Sequence, residues 1–177
     1  MLLSLILWNY LKLRKIILPD EKINSLIPKI FLFLIFTQIL IGAFVSGIDA
    51  GKIYNTWPLM GSYYFPDDNQ IVNLFDFNVF SDPSLVQFIH RNLAYIILLF
   101  YVLMLIKIYR KKLTNYYYSI NLLGLLLIIQ IILGIFTLLY GAQIIIASMH
   151  QISSIFLVSS TIYLFYINSV TNPQPSN

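Results

Sequence analysis

Two histidines, His90 and His150, are the only ones in the chain, and each stands inside a long apolar run: LVQFIHRNLAY (85–95) and IIIASMHQ (144–151). An imidazole within a membrane helix either packs against a hydrogen-bond partner or serves as a ligand or relay, and intramembrane ionisable groups tend to mark function. The start signals of the two helices allow their depths to be compared. Asp82-Pro83 supplies an N-cap acceptor followed by proline at the first helical position, and His90 lies seven residues on, roughly 10 Å along the axis. The second helix is expected to begin near Gln143, after the Gly141-Ala142 turn. His150 again lies seven residues on, at roughly the same depth.

Two depth-matched imidazoles on helices running the same way can face each other across a bundle. A haem iron takes axial ligands from opposite faces, and bundle cores are a usual place for such a cofactor. Ala147, Ser153 and Ser154 share the His150 face, and Ala94 shares that of His90. All are small enough to leave room for a flat macrocycle. Gly42, Ser46, Gly134 and Thr137 offer further small surfaces, for which close helix packing is the competing account. A zinc or copper site normally asks for more ligands than two histidines, and Met149 points about 100° away from His150 on its helix. Arg91 either snorkels to the interface or pairs with an anionic group such as a haem propionate. On residues alone, haem ligation and simple histidine packing both stand.

The elements that must hold these residues are membrane helices. The chain is 59% hydrophobic and 10% charged, against about half and a quarter for soluble domains. It has no cysteine, which excludes disulfides and thiolate ligands. The fold class expected is all-α, a polytopic four-helix transmembrane bundle. Spans are expected at 30–48, 84–106, 119–140 and 144–166, each near the roughly 20 residues that cross a bilayer. Segment 2–11 is too short to span, and its end is marked by Lys12, Arg14 and Lys15. The expected division is 1–28, a remnant helix and cytoplasmic linker, 29–168, the bundle with an outer loop at 49–83, and 169–177, a cytoplasmic tail.

Loop charge orients the bundle. Lys12, Arg14, Lys15, Lys22 and Lys29 precede the first span, and Lys107, Arg110, Lys111 and Lys112 separate the second from the third. Loop 49–83 instead carries Asp49, Asp67, Asp68, Asp76 and Asp82 against a single Lys52. By the positive-inside rule both basic segments and the C-terminus are cytoplasmic and the acidic loop is extracytoplasmic. Tyr54, Trp57, Tyr63, Tyr64 and Phe65 would line the outer interface, and Tyr109 and Tyr116–Tyr118 the inner one. IVNLF (71–75) reads as a short segment lying flat. TQILIG (37–42) is echoed by IQIILG (129–134), each with glycine four residues after glutamine on one helical face, so the chain reads as two similar helical hairpins. No phosphate-binding loop is present, nucleic acid is not an expected partner, and no Asp or Glu lies within the spans.

GAFVSGIDAGKIYNTWPLMG (42–61), LVQFIHRNLAY (85–95), LGIFTLLYG (133–141) and IIIASMHQ (144–151), in this order, resemble the haem A synthase family over residues 30–168. The family has eight membrane helices in two homologous halves and oxidises haem O to haem A for cytochrome c oxidase. The resemblance is to the C-terminal half. It implies a haem b with a bis-histidine iron held by His90 and His150, and it implies an inner-membrane oxidoreductase. It also implies that the substrate haem O is met by the N-terminal half, which has no counterpart in this sequence. Haem O synthase and subunit I of cytochrome c oxidase are the partners that such a role suggests. For IDAGKIYNTWPL (48–59), the expectations are a structural turn, or a cap on the haem edge with Lys52, Tyr54 or Asn55 at the propionates. The competing functions are a non-enzymatic b-type cytochrome or haem-handling protein, and a haem-free membrane scaffold.

Overall fold

The computed structural model describes residues 2–14 and 21–170; Lys15 and the tail from 171, both assigned above to the cytoplasm, lie outside them. Five α-helices follow in order: α1 (Leu2–Leu13), α2 (Leu26–Gly47), α3 (Pro83–Arg110), α4 (Tyr117–Leu139) and α5 (Ile144–Ser169). The last four are long and apolar enough to cross a membrane, so the protein is an all-helical, multi-pass membrane protein. Among the described residues no strand forms, and the only β pairing is an isolated bridge between Met60 and Tyr63. Each span extends beyond its expected limits at one end or both. α2 begins earlier, running through Lys29, and α3 continues past its apolar run through Lys107 to Arg110.

The two expected helix starts are where the sequence put them. The Asp82 side chain accepts from the Leu85 N–H at 3.0 Å with Pro83 in the first turn. The α4–α5 turn is made by Gly141 (φ 64°) and Ala142 (φ 56°), both left-handed, before Gln143 caps α5. Glycine adopts that conformation without steric cost, and the small alanine tolerates it.

The spans form a ring in which α2 packs on α3 and α5, and α4 packs on α5 and α3, while α1 lies against α5. On that contact Trp8 meets Tyr166 edge-on at 5.0 Å and Phe165 at 5.5 Å. Buried side chains concentrate at the end of the bundle bearing the basic segments. Phe31 and Ile35 of α2, Ile97, Met104 and Ile108 of α3, Ile120 and Leu123 of α4, and Leu157, Ile162 and Leu164 of α5 make one core there. Asn168 closes it: its Oδ1 accepts from the Ile23 N–H (3.1 Å) and the Tyr116 hydroxyl (2.6 Å), and its Nδ2 donates to the Ile23 carbonyl (3.2 Å). Tyr116 is therefore fully buried rather than part of an interfacial belt. Its one polar atom has a partner inside, so the ring can stay with the core.

At the opposite end the long loop folds over the helix termini. It contains 3-10 turns at Ala50–Lys52, Ile71–Phe75 and Val79–Ser81. The middle turn is the short segment expected from IVNLF, and Phe80 beyond it stacks on Phe44 of α2 at 5.3 Å. Between this loop and the core lies a zone in which none of residues 88–96, 130–137 and 144–156 is buried. Both histidines fall in it.

Candidate functional site

Each histidine is gripped by the helix preceding it in its own hairpin. Gln38 of α2 donates its amide N–H to the His90 backbone carbonyl at 3.1 Å, and the same nitrogen lies 3.2 Å from the His90 ring Nε2. Gln130 of α4 donates to the His150 carbonyl at 3.0 Å and lies 3.2 Å from ring Nδ1 and 3.5 Å from Nε2. One turn along, the bare backbone of a glycine faces each ring. A Cβ on Gly42 would stand 3.1 Å from His90 Cε1, and one on Gly134 would stand 3.0 Å from His150 Cε1. The two Gln-to-Gly echoes seen in the sequence thus do the same job in both hairpins.

The surroundings fit a planar ligand held between two imidazoles. Both histidines are partly exposed. His90 Nδ1 is buried with no partner among the described residues, so this ring still has a polar atom to satisfy. The glycines keep side chains off the rings' Cε1 edges. Met149 is exposed. Among the described residues no cluster of three or more His, Cys, Asp or Glu forms.

Arg91, next along α3, is bonded to the loop. Its Nη1 donates to the carbonyls of Thr56 (3.0 Å) and Leu59 (3.2 Å), and its Nη2 donates to that of Tyr54 (2.9 Å). Nε is buried with no partner among the described residues. A planar guanidinium with donors in a fixed fork suits a row of converging carbonyls. Gln87 adds a second bond to the Tyr54 carbonyl at 3.1 Å. The other loop residues considered at a haem edge are also engaged within the protein. Lys52 pairs with Asp49 at 2.8 Å. Asn55 donates to the carbonyls of Gly51 (3.1 Å) and Leu138 (2.8 Å), tying the loop to the end of α4.

Tyr54 leads into an acidic corner. Its hydroxyl donates to Asp67 Oδ1 at 2.5 Å, Ser84 donates to Asp68 Oδ2 at 2.5 Å, and Asn69 donates to Asp82 Oδ2 at 3.2 Å. Burial, then the bond to Asp67 and the nearby Asp68 charge, push the Tyr54 phenol up to about 12. Burial would raise the Asp68 carboxyl, but the bonds from Ser84, Asn69 and Tyr54 outweigh it and hold the group below its usual range.

Depth counting in the sequence paired His90 with His150, and the helix starts it relied on, Asp82-Pro83 and Gln143, are present. It did not assign Gln38 or Gln130 to the rings. The Gln-to-Gly spacing was the available signal, but spacing fixes a helical face and not what the neighbouring helix presents to it.

Comparisons with known proteins cover most of the chain. A family model described as cytochrome oxidase assembly protein matches residues 1–162. A protein named heme A synthase from Pelagibacter ubique (strain HTCC1062) is 42% identical over 168 residues, covering 95% of this chain and 49% of its own length. Proteins of the same name from Rickettsia bellii (strain RML369-C) and Rickettsia africae (strain ESF-5) are 42% and 38% identical, over 85% and 84% of this chain and 46% and 44% of their own lengths. The chain thus spans about half the length of the curated relatives it matches. No solved structure matches.

Proposed function

Because the chain belongs to the cytochrome oxidase assembly protein family, we propose that it forms the cofactor-haem half of a haem A synthase, with His90 and His150 as the two axial ligands of a haem b. The observation that carries this reading is the repeated grip: two imidazoles on separate helices, each held by a glutamine and faced by a glycine. A bound haem b would supply a one-electron iron couple suited to relaying electrons during the oxidation of haem O to haem A. This chain's own residues position it. The glutamines hold the ligand-bearing turns, and Arg91 fastens the loop above the rings while keeping its Nε as a donor toward a propionate. The substrate haem O belongs, on this reading, to the part of the relatives' length that these residues do not span. Haem O synthase and subunit I of cytochrome c oxidase are the neighbours such a step would have. On this reading the half sits in the cell inner membrane, and the positive-inside pattern of the basic segments supports loop 49–83 as extracytoplasmic and the C-terminus as cytoplasmic.

Purification in detergent and a reduced-minus-oxidised spectrum test the ligand pair. The wild-type protein is expected to show a low-spin b-type signature that disappears in His90→Ala and in His150→Ala. An unchanged spectrum in either variant would refute bis-histidine ligation. Pigment extraction from cells co-expressing a haem O synthase then separates an enzyme half from a plain cytochrome. Haem A must appear only when the remaining half of a relative is supplied with this chain, and its failure to appear leaves the b-type cytochrome as the function.

A further inference from the structure

We propose that Ile71, Val72, Phe75 and Phe77 of the long loop form a lipid-binding surface, seated on the bilayer leaflet at the loop end of the bundle. This surface does not depend on haem binding, and neither the histidine pair nor the Arg91 bonds make use of it. Phe75 is 86% exposed, Phe77 is wholly exposed, and Ile71 and Val72 are exposed beside them. Four large apolar side chains laid bare within seven residues of a loop mark an interaction surface.

Position favours lipid as the occupant. Phe80 stacks on Phe44 at 5.3 Å, and Phe44 is itself exposed in the last turn of the membrane-crossing helix α2. Phe77 precedes Phe80 by three residues, which reach at most about 11 Å when extended. On the other side, Asp82 opens α3 five residues after Phe77. The patch is therefore held close to the ends of two spans and is continuous with the exposed surface of α2. Backbone bonding favours lipid too, because a segment entering the interface must satisfy its own polar groups. Here the N–H groups of Asn73, Asp76, Val79 and Ser81 donate to the carbonyls of Gln70, Asn73, Asp76 and Asn78 at 2.9, 3.2, 3.2 and 2.8 Å. The polar residues between the apolar ones also bond within the loop: Asn73 Nδ2 donates to Asn69 Oδ1 at 3.0 Å, and Asp76 Oδ1 accepts from the Asn78 N–H at 2.8 Å. A lipid surface asks for no directional bond in return. The Asp76 carboxylate limits the depth to the headgroup–acyl boundary, where interfacial segments sit about 5–10 Å in. Trp57, Tyr63 and Tyr64, exposed on the same loop, are of the types that settle at that level. The loop is then fixed at two places, by Arg91 on residues 54–59 and by lipid on residues 71–77.

The chain has no cysteine, so single-cysteine variants can be spin-labelled at one chosen place. Val72→Cys, Phe75→Cys and Phe77→Cys test the patch. Leu99→Cys, exposed on α3, gives a lipid reference, and Ser62→Cys, exposed in the loop, gives a water reference. The full chain is reconstituted into vesicles of phosphatidylcholine and phosphatidylglycerol. Power saturation then compares collisions of each label with oxygen, which concentrates among acyl chains, and with a water-soluble nickel chelate. The oxygen-to-nickel ratio at 72, 75 and 77 is expected to exceed that at 62 several-fold and to approach that at 99. Ratios equal to that at 62 would overturn the proposal. Labels immobilised and shielded from both reagents would also overturn it, by giving the patch to a second copy of the chain or another protein. Helical content and thermal midpoint serve as the folding control. Limited proteolysis in the same vesicles gives an independent reading. The double variant Phe75→Ser, Phe77→Ser is expected to be cut within loop 49–83 several-fold faster than wild type, and an unchanged rate would show that lipid does not hold the loop.

Discussion

The same four helices build two unlike regions. Toward the basic end they bring fully buried Phe31, Ile108, Ile120, Leu123 and Leu164 together, closed by the Asn168 bonds. Between that core and the loop they carry His90, His150, Gln38, Gln130, Gly42 and Gly134, and none of residues 88–96, 130–137 and 144–156 is buried. In a membrane the hydrophobic effect does not separate lipid-facing from core-facing carbon, so helix association depends on close packing and interhelical hydrogen bonds. The basic end concentrates the close packing. The histidine zone can then be shaped around a ligand at little expense to the fold.

If the two regions divide the work in this way, the largest losses of stability come from the basic end. Asn168→Ala leaves the Ile23 N–H and the Tyr116 hydroxyl without partners, and a buried polar group so orphaned costs about 1–3 kcal/mol. Thermal unfolding in detergent, followed by tryptophan fluorescence, should show the lowest midpoint of the set. The haem spectrum of the surviving folded fraction should be unaltered. Gly124→Ala is expected next. Its new Cβ would stand 1.9 Å from the Tyr101 hydroxyl oxygen, which donates to the Ile120 carbonyl at 3.2 Å. Such overpacking costs about 1–3 kcal/mol, less whatever alanine returns in helix propensity. A haem deficit without a stability loss in either variant would break the division between the regions.

The glycines of the histidine zone should behave in the opposite sense. In Gly42→Ala and Gly134→Ala the added methyl meets a ring edge at 3.1 Å and 3.0 Å, so a ring must give by a few tenths of an ångström. Alanine favours a helix interior by about 1 kcal/mol over glycine, which offsets the contact. The expected result is a thermal midpoint close to wild type with a displaced haem spectrum or weakened haem affinity. Equal and large drops in stability would show that this zone is packed as tightly as the core, and the contrast would be lost.

The sequence shows one of these regions better than the other. Hydropathy and charge reveal the spans because each span is a continuous signal. Asp82-Pro83 and Gln143 reveal the depths of His90 and His150 because helix rise is constant. Tyr116 and Asn168 escape such reading, since their bond joins residues 52 apart and polar residues near a span's end look interfacial. Arg91 shows the limit more plainly. Its neighbours Tyr54, Thr56 and Leu59 offer carbonyls, and no side-chain pattern encodes where the backbone of an irregular loop turns. The glutamines fall between these cases: their repeat was visible, and only the packing of α2 on α3 and of α4 on α5 gave it a meaning.

The smallest effects belong to the acidic corner, which joins neither region directly. Asp68 is held below its usual range by the bonds from Ser84, Asn69 and Tyr54, against the opposing push of burial. A depressed folded-state value means that its contribution is present above the ordinary carboxylate range and fades as pH falls through that range. Tyr54 titrates at the other extreme. Burial first, and then Asp67 and Asp68, raise its phenol to about 12, so its contribution is complete below the ordinary tyrosine value of about 10 and fades as pH rises toward about 12. Ultraviolet difference titration of wild type against Tyr54→Phe isolates this phenol, and the phenolate missing from the variant should be one that ionises near 12. Its appearance at the ordinary value would show that Tyr54 is not bonded to Asp67 in solution. Because Arg91 and Gln87 hold the Tyr54 backbone carbonyl and not its ring, the variant should leave the haem spectrum unmoved and lower the thermal midpoint only slightly, by the loss of the bond to Asp67. A shift in the haem spectrum would mean that the acidic corner, together with the bonds from Arg91, Gln87 and Asn55, holds the loop above the histidine zone.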